Sequence, residues 1–153
     1  MMNSQSSDQA FAQVSEAHGY QLIRKIGSGG FGNIFLVEST KYKVEFAIKR
    51  IFCSKFTTSE PEIQALMKLS HPGVIRIFDY FKDEQYVYLV LEYCPYGSFK
   101  DMITKNGPLE LRALLSTCLD ITKALEFCHN KKISHLDIKP SNIFIDKYGR
   151  PKI

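Results

Sequence analysis

No apolar run in this 153-residue chain is long enough to cross a bilayer, and no apolar segment of the secretory type follows Met1. A membrane-spanning or exported chain is therefore not expected. Tryptophan is absent, and cysteine is scarce. Cys53, Cys94, Cys118 and Cys128 lack metal-ligand spacing and fall mostly inside apolar runs, which reads as reduced core thiols in an intracellular protein, cytoplasmic or nuclear. Excess charge of one sign is also lacking. A net charge of +4 is too mild to argue for nucleic acid or a membrane surface as partner. No internal repeat is visible.

What remains is ordinary for a globular protein: 44% hydrophobic and 24% charged residues, in a length sufficient for one domain with its own core. Residues 1–19 are rich in Ser, Gln, Asn and Ala and are expected to form a flexible tail. A short helix over residues 11–17 finds only weak support.

The most informative stretch is residues 134–146, S-H-L-D-I-K-P-S-N-I-F-I-D. Proline and serine make its first part a loop, and the apolar run 143–145 suits a buried strand. The loop offers an acid, Asp137, an ammonium, Lys139, and a carboxamide, Asn142. Such a set suits phosphoryl transfer. The acid can accept a hydroxyl proton, the ammonium can face phosphate oxygens, and the amide can offer an oxygen to magnesium. An ordinary charged surface loop is the bland alternative.

Upstream, Leu22, Ile23 and Ile26 lead into Gly27-Ser28-Gly29-Gly30-Phe31-Gly32, and Ile34 opens a second apolar run. Strand, glycine turn, strand is a hairpin, whereas a dinucleotide-binding loop would open a helix after its glycines. Glycines allow close backbone approach to phosphates, though a flexible turn alone gives the same pattern. The next strand, 44–49, ends in Lys49. Alternation puts Ala47 and Lys49 on one face, where a small residue leaves room for a flat base and the lysine can reach phosphates. Ser59 and Pro61 start a helix through Leu69 with Ile63, Leu66 and Met67 on its buried face. Strands over 74–81 and 86–91 follow. A short helix over 99–105 precedes a long one over 109–130. Leu111, Leu114, Leu115, Cys118, Ile121, Leu125 and Cys128 recur on the long helix at helical spacing, predicting one stripe facing a core.

Taken in order, the glycine loop, F-A-I-K, the helix glutamate with H-P-G, and H-L-D-I-K-P-S-N resemble the eukaryotic protein kinases from about Leu22 to Ile153. The resemblance implies an α+β, two-lobe kinase-like fold. It has a complete small lobe over 20–91 (five antiparallel strands and one helix), a hinge over 92–97, and a mostly helical large lobe over 98–153, truncated before D-F-G. It implies ATP and Mg2+ as cofactors and a protein as substrate, without nucleic acid or membrane. ATP would be lined by Ile26, Gly27, Ser28, Gly29, Gly30, Phe31, Gly32, Ile34, Ala47, Lys49, Glu62, Leu91, Glu92, Cys94, Ser98 and Phe144. Among these, Glu62 would pair with Lys49, with Glu60 as second candidate. Leu91 would stand beside the base, Glu92 and Cys94 would meet the adenine edge through their backbones, Ser98 would contact the ribose, and Phe144 would lie under the ring. Asp137 and Lys139 would be catalytic and Asn142 a metal ligand.

Lys139 resembles serine/threonine kinases, while D-I-K-P-S-N-I-F-I, the residue at 136 and E-Y-C also resemble the Wee kinases. Leu136 replaces the family's arginine, which implies independence of activation-loop phosphorylation. The bland reading has Leu136 filling core space. A chain ending at Ile153 is expected to transfer little phosphate by itself. A non-catalytic nucleotide-binding or interaction module is the alternative function.

Overall fold

The computed structural model describes residues 4–29 and 32–153. It divides into two compact units, residues 1–67 with 77–93, and residues 68–76 with 94–153.

The first unit is a five-stranded antiparallel sheet in the order β1-β2-β3-β5-β4, built from β1 (Tyr20–Gly29), β2 (Gly32–Ser39), β3 (Glu45–Phe52), β4 (Ile77–Lys82) and β5 (Tyr86–Glu92). Side chains alternate across it, as period-two strands require. Phe35 and Val37 of β2, Ile48 of β3, Tyr88 and Val90 of β5 and Phe81 of β4 form one buried core. The register sets Ile34 opposite Lys49 and Lys49 opposite Leu89, and places Ala47 between Leu36 and Leu91. These residues share the opposite face. Helix α2 (Glu60–Met67) contacts β4 and buries Ile63.

The expected tail is not a tail. Residues Ser4–Ala17 form helix α1, and Phe11 is fully buried in the core of the sheet. Its ring stacks on Phe35 with centroids 3.9 Å apart, and Val14 packs beside it. His18, just past the helix, stacks on Phe81 at 3.9 Å. Polar composition hid one aromatic anchor with an apolar neighbour one turn away. That is enough when a sheet face stands ready to receive them.

In the second unit, α3 (Phe99–Asn106) and α4 (Leu111–Asn130) share a core with the hairpin β6 (Phe144–Ile145) and β7 (Pro151–Lys152). Residues 68–76, expected in the small lobe, pack here. The Gly73 carbonyl accepts from Ile153, the Ile75 amide donates to the Ile153 carbonyl, and Val74 joins this core. A Cβ at Gly73 would come within 2.9 Å of the Ala124 Cβ, so glycine permits the approach to α4. The strand predicted over 74–81 accordingly begins only at Ile77. The predicted α4 stripe is also only half buried. Ala124 and Cys128 are buried, and Ile121 and Leu125 pack against the core, while Leu111, Leu114, Leu115 and Cys118 are exposed. Of the four thiols, expected mostly in the core, Cys94 and Cys128 are buried and Cys53 and Cys118 are exposed. No described helix is long and apolar enough to cross a membrane.

Candidate functional site

The glycine turn joins β1 to β2, whose last described pair is Gly29 opposite Gly32. Gly30 and Phe31, expected at its tip, lie outside the described residues. Gly32 has φ +127°, and a Cβ there would fall 2.0 Å from the Arg50 carbonyl oxygen. Only glycine fits that position. Ser28 donates its hydroxyl to the Asn33 carboxamide oxygen at 2.9 Å, bracing the two arms of the turn. Gly27 lies opposite Ile34, and Ile26 falls in a register shift of β1.

Lys49 is half-buried on the Ala47 face of β3. Burial lowers the pKa of its ammonium, since desolvation disfavours the charged form. Leu91 lies directly across from Ala47, and Glu92 opposite Phe46.

The expected Lys49–Glu62 pair is not formed. Glu62 is exposed, and one carboxylate oxygen accepts from the Ser59 amide and from the Ser59 hydroxyl, both at 2.7 Å. These bonds hold its pKa below the ordinary range. Glu62 thus serves the helix start, as a residue three places after the N-cap does in a capping box. The second candidate, Glu60, lies 3.3 Å from the Lys82 ammonium. Local capping and a cross-element ion pair claimed both carboxylates.

In the second unit the predicted trio converges. Lys139 Nζ lies 2.8 Å from Asp137 Oδ2, and Asn142 Nδ2 donates to the same oxygen at 2.7 Å and to the Asp137 carbonyl at 3.0 Å. The bond from Lys139, opposed by desolvation and helped by the bond from Asn142, keeps the Asp137 carboxyl below its usual range. A short 3-10 turn, Pro140–Asn142, folds the loop back, closed by the Asn142 amide on the Lys139 carbonyl. Asp137 Oδ1 has no partner among the described residues. Because the Asn142 amide nitrogen is spent on Asp137, its Oδ1 remains as an oxygen donor of the kind hard cations take. Asn142 thus offers one oxygen to a magnesium ion, and no group of three or more His, Cys, Asp or Glu among the described residues completes a metal site.

Sequence reasoning assigned no role to His135. Its Nδ1 accepts from the Asp137 amide at 3.3 Å and so helps set the loop. Its position two residues before the acid was the available signal. Leu136 is 92% exposed with φ +62°, so it does not fill core space. Ser98, the expected ribose contact, is buried at the start of α3. Its hydroxyl donates to Asp101 at 2.5 Å and accepts from the Asp101 amide at 3.1 Å, a complete capping box. Phe144 is half-buried in β6 and bridges to Ser98. Cys94 is buried, its carbonyl accepting from Gly97.

An antiparallel five-stranded sheet with one α2-type helix, followed by a mostly helical unit, is the α+β fold of the protein kinases. A family model for the protein kinase domain matches residues 20–153, and the chain belongs to that family. Aurora kinase B of Danio rerio is 32% identical over 148 residues, covering 93% of this chain and 46% of the relative. Aurora kinase B of Mus musculus is 33% identical over 142 residues, covering 88% and 41%. The serine/threonine-protein kinase PrkC of Bacillus subtilis (strain 168) is 35% identical over 140 residues, covering 88% and 22%. The chain thus spans less than half the length of these relatives. They favour the serine/threonine branch; a Wee likeness is not shown by them.

Proposed function

We propose that this chain carries the ATP-binding and catalytic residues of a serine/threonine protein kinase, acting inside the cell on a protein hydroxyl. The observation that carries this reading is the convergence of Lys139 and Asn142 on one oxygen of Asp137. That arrangement leaves Oδ1 to receive the hydroxyl of a substrate, orient it, and take its proton as the bond to phosphorus forms. Lys139 would face the transferring phosphoryl group, and Asn142 would hold magnesium through its carboxamide oxygen. Magnesium, when bound, neutralises charge on the phosphates. On the sheet, Ala47 and Leu91 stand opposite each other on the face that would take the adenine, with Ile34 on the same face and the backbone of Glu92 at its end. The half-buried Lys49 reaches the α- and β-phosphates, and the turn at Gly27, Ser28, Gly29 and Gly32 covers them. The test is γ-phosphate transfer to a protein substrate by the domain expressed at the length of its relatives. Asp137→Asn should lower kcat and leave nucleotide affinity near wild type, and wild-type turnover in that variant would falsify the assignment.

One observation favours a second reading, nucleotide binding without transfer. Glu62 is held by Ser59 and not by Lys49. Tight ADP binding with no transfer to any peptide under saturating Mg2+ would select that reading.

A further inference from the structure

The face of the sheet opposite Ala47 and Lys49 holds an unusual feature, a buried arginine. Arg50 is 4% exposed. Its guanidinium carbon lies 4.8 Å from the ring centre of Tyr86, 5.1 Å from that of Phe35 and 5.9 Å from that of Phe11. Phe35 and Tyr86 belong to the sheet, whereas Phe11 belongs to α1 and supplies the lid over this cation. A guanidinium is removed from water at a cost that aromatic faces partly offset. Arg50 also acts electrostatically on Asp83 and Tyr88, so a docked α1 is one of several supports that keep it buried.

Arg50 is also the chain neighbour of Lys49, and the two side chains leave β3 on opposite faces. The Arg50 carbonyl is the atom against which Gly32 packs, so closely that no Cβ fits between them. A continuous column thus runs from the Phe11 ring through the Arg50 guanidinium and backbone to the closing residue of the glycine turn. From this we infer that α1 is a clip on β3, and that Phe11 and Arg50 are positioning residues for Lys49 and for the glycine turn. The consequence for nucleotide rests on the kinase reading above; the mechanical coupling does not. Undocking α1 would expose Arg50, which would turn toward water. The β2–β3 pair would loosen, and β5 with it where Tyr86 and Tyr88 face the same cation and ring, while the outer strand β4, held by its own ladder and by the Tyr88–Asp83 bond of 2.6 Å at its turn, would keep its order.

Hydrogen exchange on the whole chain, with ADP affinity measured in parallel, tests this. In Phe11→Ala, amides of residues 32–37 and 45–52 should exchange at least about tenfold faster, those of residues 77–82 should stay within about twofold, and ADP affinity should fall about tenfold. Phe11→Leu, which keeps an apolar anchor, should recover most of both effects. Should Phe11→Ala fail to fold, Val14→Ala should give the same selective pattern in smaller measure. Exchange that rises evenly across all five strands would mean α1 merely adds global stability, and would overturn the proposal. Unchanged exchange in the β2–β3 pair would overturn it as well. Were the wild-type chain to bind no ADP, the kinase-site reading would fail, and the exchange pattern alone would still decide the coupling.

Discussion

Both partners of Asp137 hold the same carboxylate oxygen, and together they keep its pKa below the usual carboxylate range. A carboxylate so stabilised is a weak base, so its larger contribution is to orient the acceptor hydroxyl. Two expectations follow for the domain at relatives' length. Asp137→Asn should cost about 10²–10⁴ in kcat, the usual worth of a general base with its positioning. The acid limb of the pH–rate profile should not be set by Asp137 until the pH drops below about 4, where an ordinary aspartate titrates. Steady-state rates for both proteins from pH 4 to 8 check the pair, and an Asp137-dependent limb near pH 6 would contradict the geometry. Lys49→Met should lower transfer on the order of 10²-fold, the usual loss when one charge-stabilising donor is removed. Leu136 is exposed, in the left-handed region, and carries no donor that could bind a phosphate. Phosphatase treatment of the extended domain should therefore leave most activity, whereas a large loss restored by phosphorylation would contradict this.

Among the elements, the start of α3 and the β6–β7 hairpin are each fixed by one acid. Ser98 and Asp101 satisfy each other's backbone amides at the start of α3. Ser98→Ala should destabilise the chain by about 0.5–2 kcal/mol in urea unfolding, as loss of an N-cap does. A drop in nucleotide affinity beyond that stability change would restore the ribose role to Ser98. In the hairpin, the side chain of Asp146 is buried and accepts from the amides of Tyr148 and Arg150 and from the Arg150 guanidinium at 2.7–2.8 Å. Burial pushes its pKa up, but these donors outweigh it and hold it below the ordinary range. A carboxyl depressed in the folded state stabilises above its unfolded pKa of about 4 and loses that contribution as pH falls through its lower folded value. Asp146→Ala should thus cost about 1.5–3 kcal/mol at neutral pH by removing hydrogen bonds to a charged, buried carboxylate. The difference from wild type should shrink on acidification below pH 4, and thermal unfolding at pH 7 and pH 3 reads both values.

On the scale of the molecule, α4 leaves an apolar row uncovered. Leu111 is 71% exposed, Leu115 61% and Leu119 55%, four residues apart on one helix face. A contiguous apolar surface of this kind drives association in water. The 153-residue chain should therefore sediment with a concentration-dependent mass, and Leu115→Glu with Leu119→Glu should shift it toward monomer. Equal masses for wild type and variant would show that the row is not an associating surface.

The strands of the first unit, the glycine hairpin, Lys49 on the Ala47 face and the Asp137–Lys139–Asn142 trio were all legible in the sequence. They rest on period-two alternation, on turn chemistry and on spacing within a loop of a few residues, all local properties. What the sequence left open depended on competition among distant partners. Glu62 had to choose between Lys49 and its own helix start, and the nearer Ser59 won. Residues 68–76 were expected in the small lobe, and the backbone bonds of Gly73 and Ile75 to Ile153 place them in the second unit. Residues 4–17 looked unfit for burial until one sheet face offered Phe35 to Phe11. Composition measures what a segment can bury on average, whereas docking depends on whether a single large ring meets a prepared surface, and only the folded sheet provides that surface.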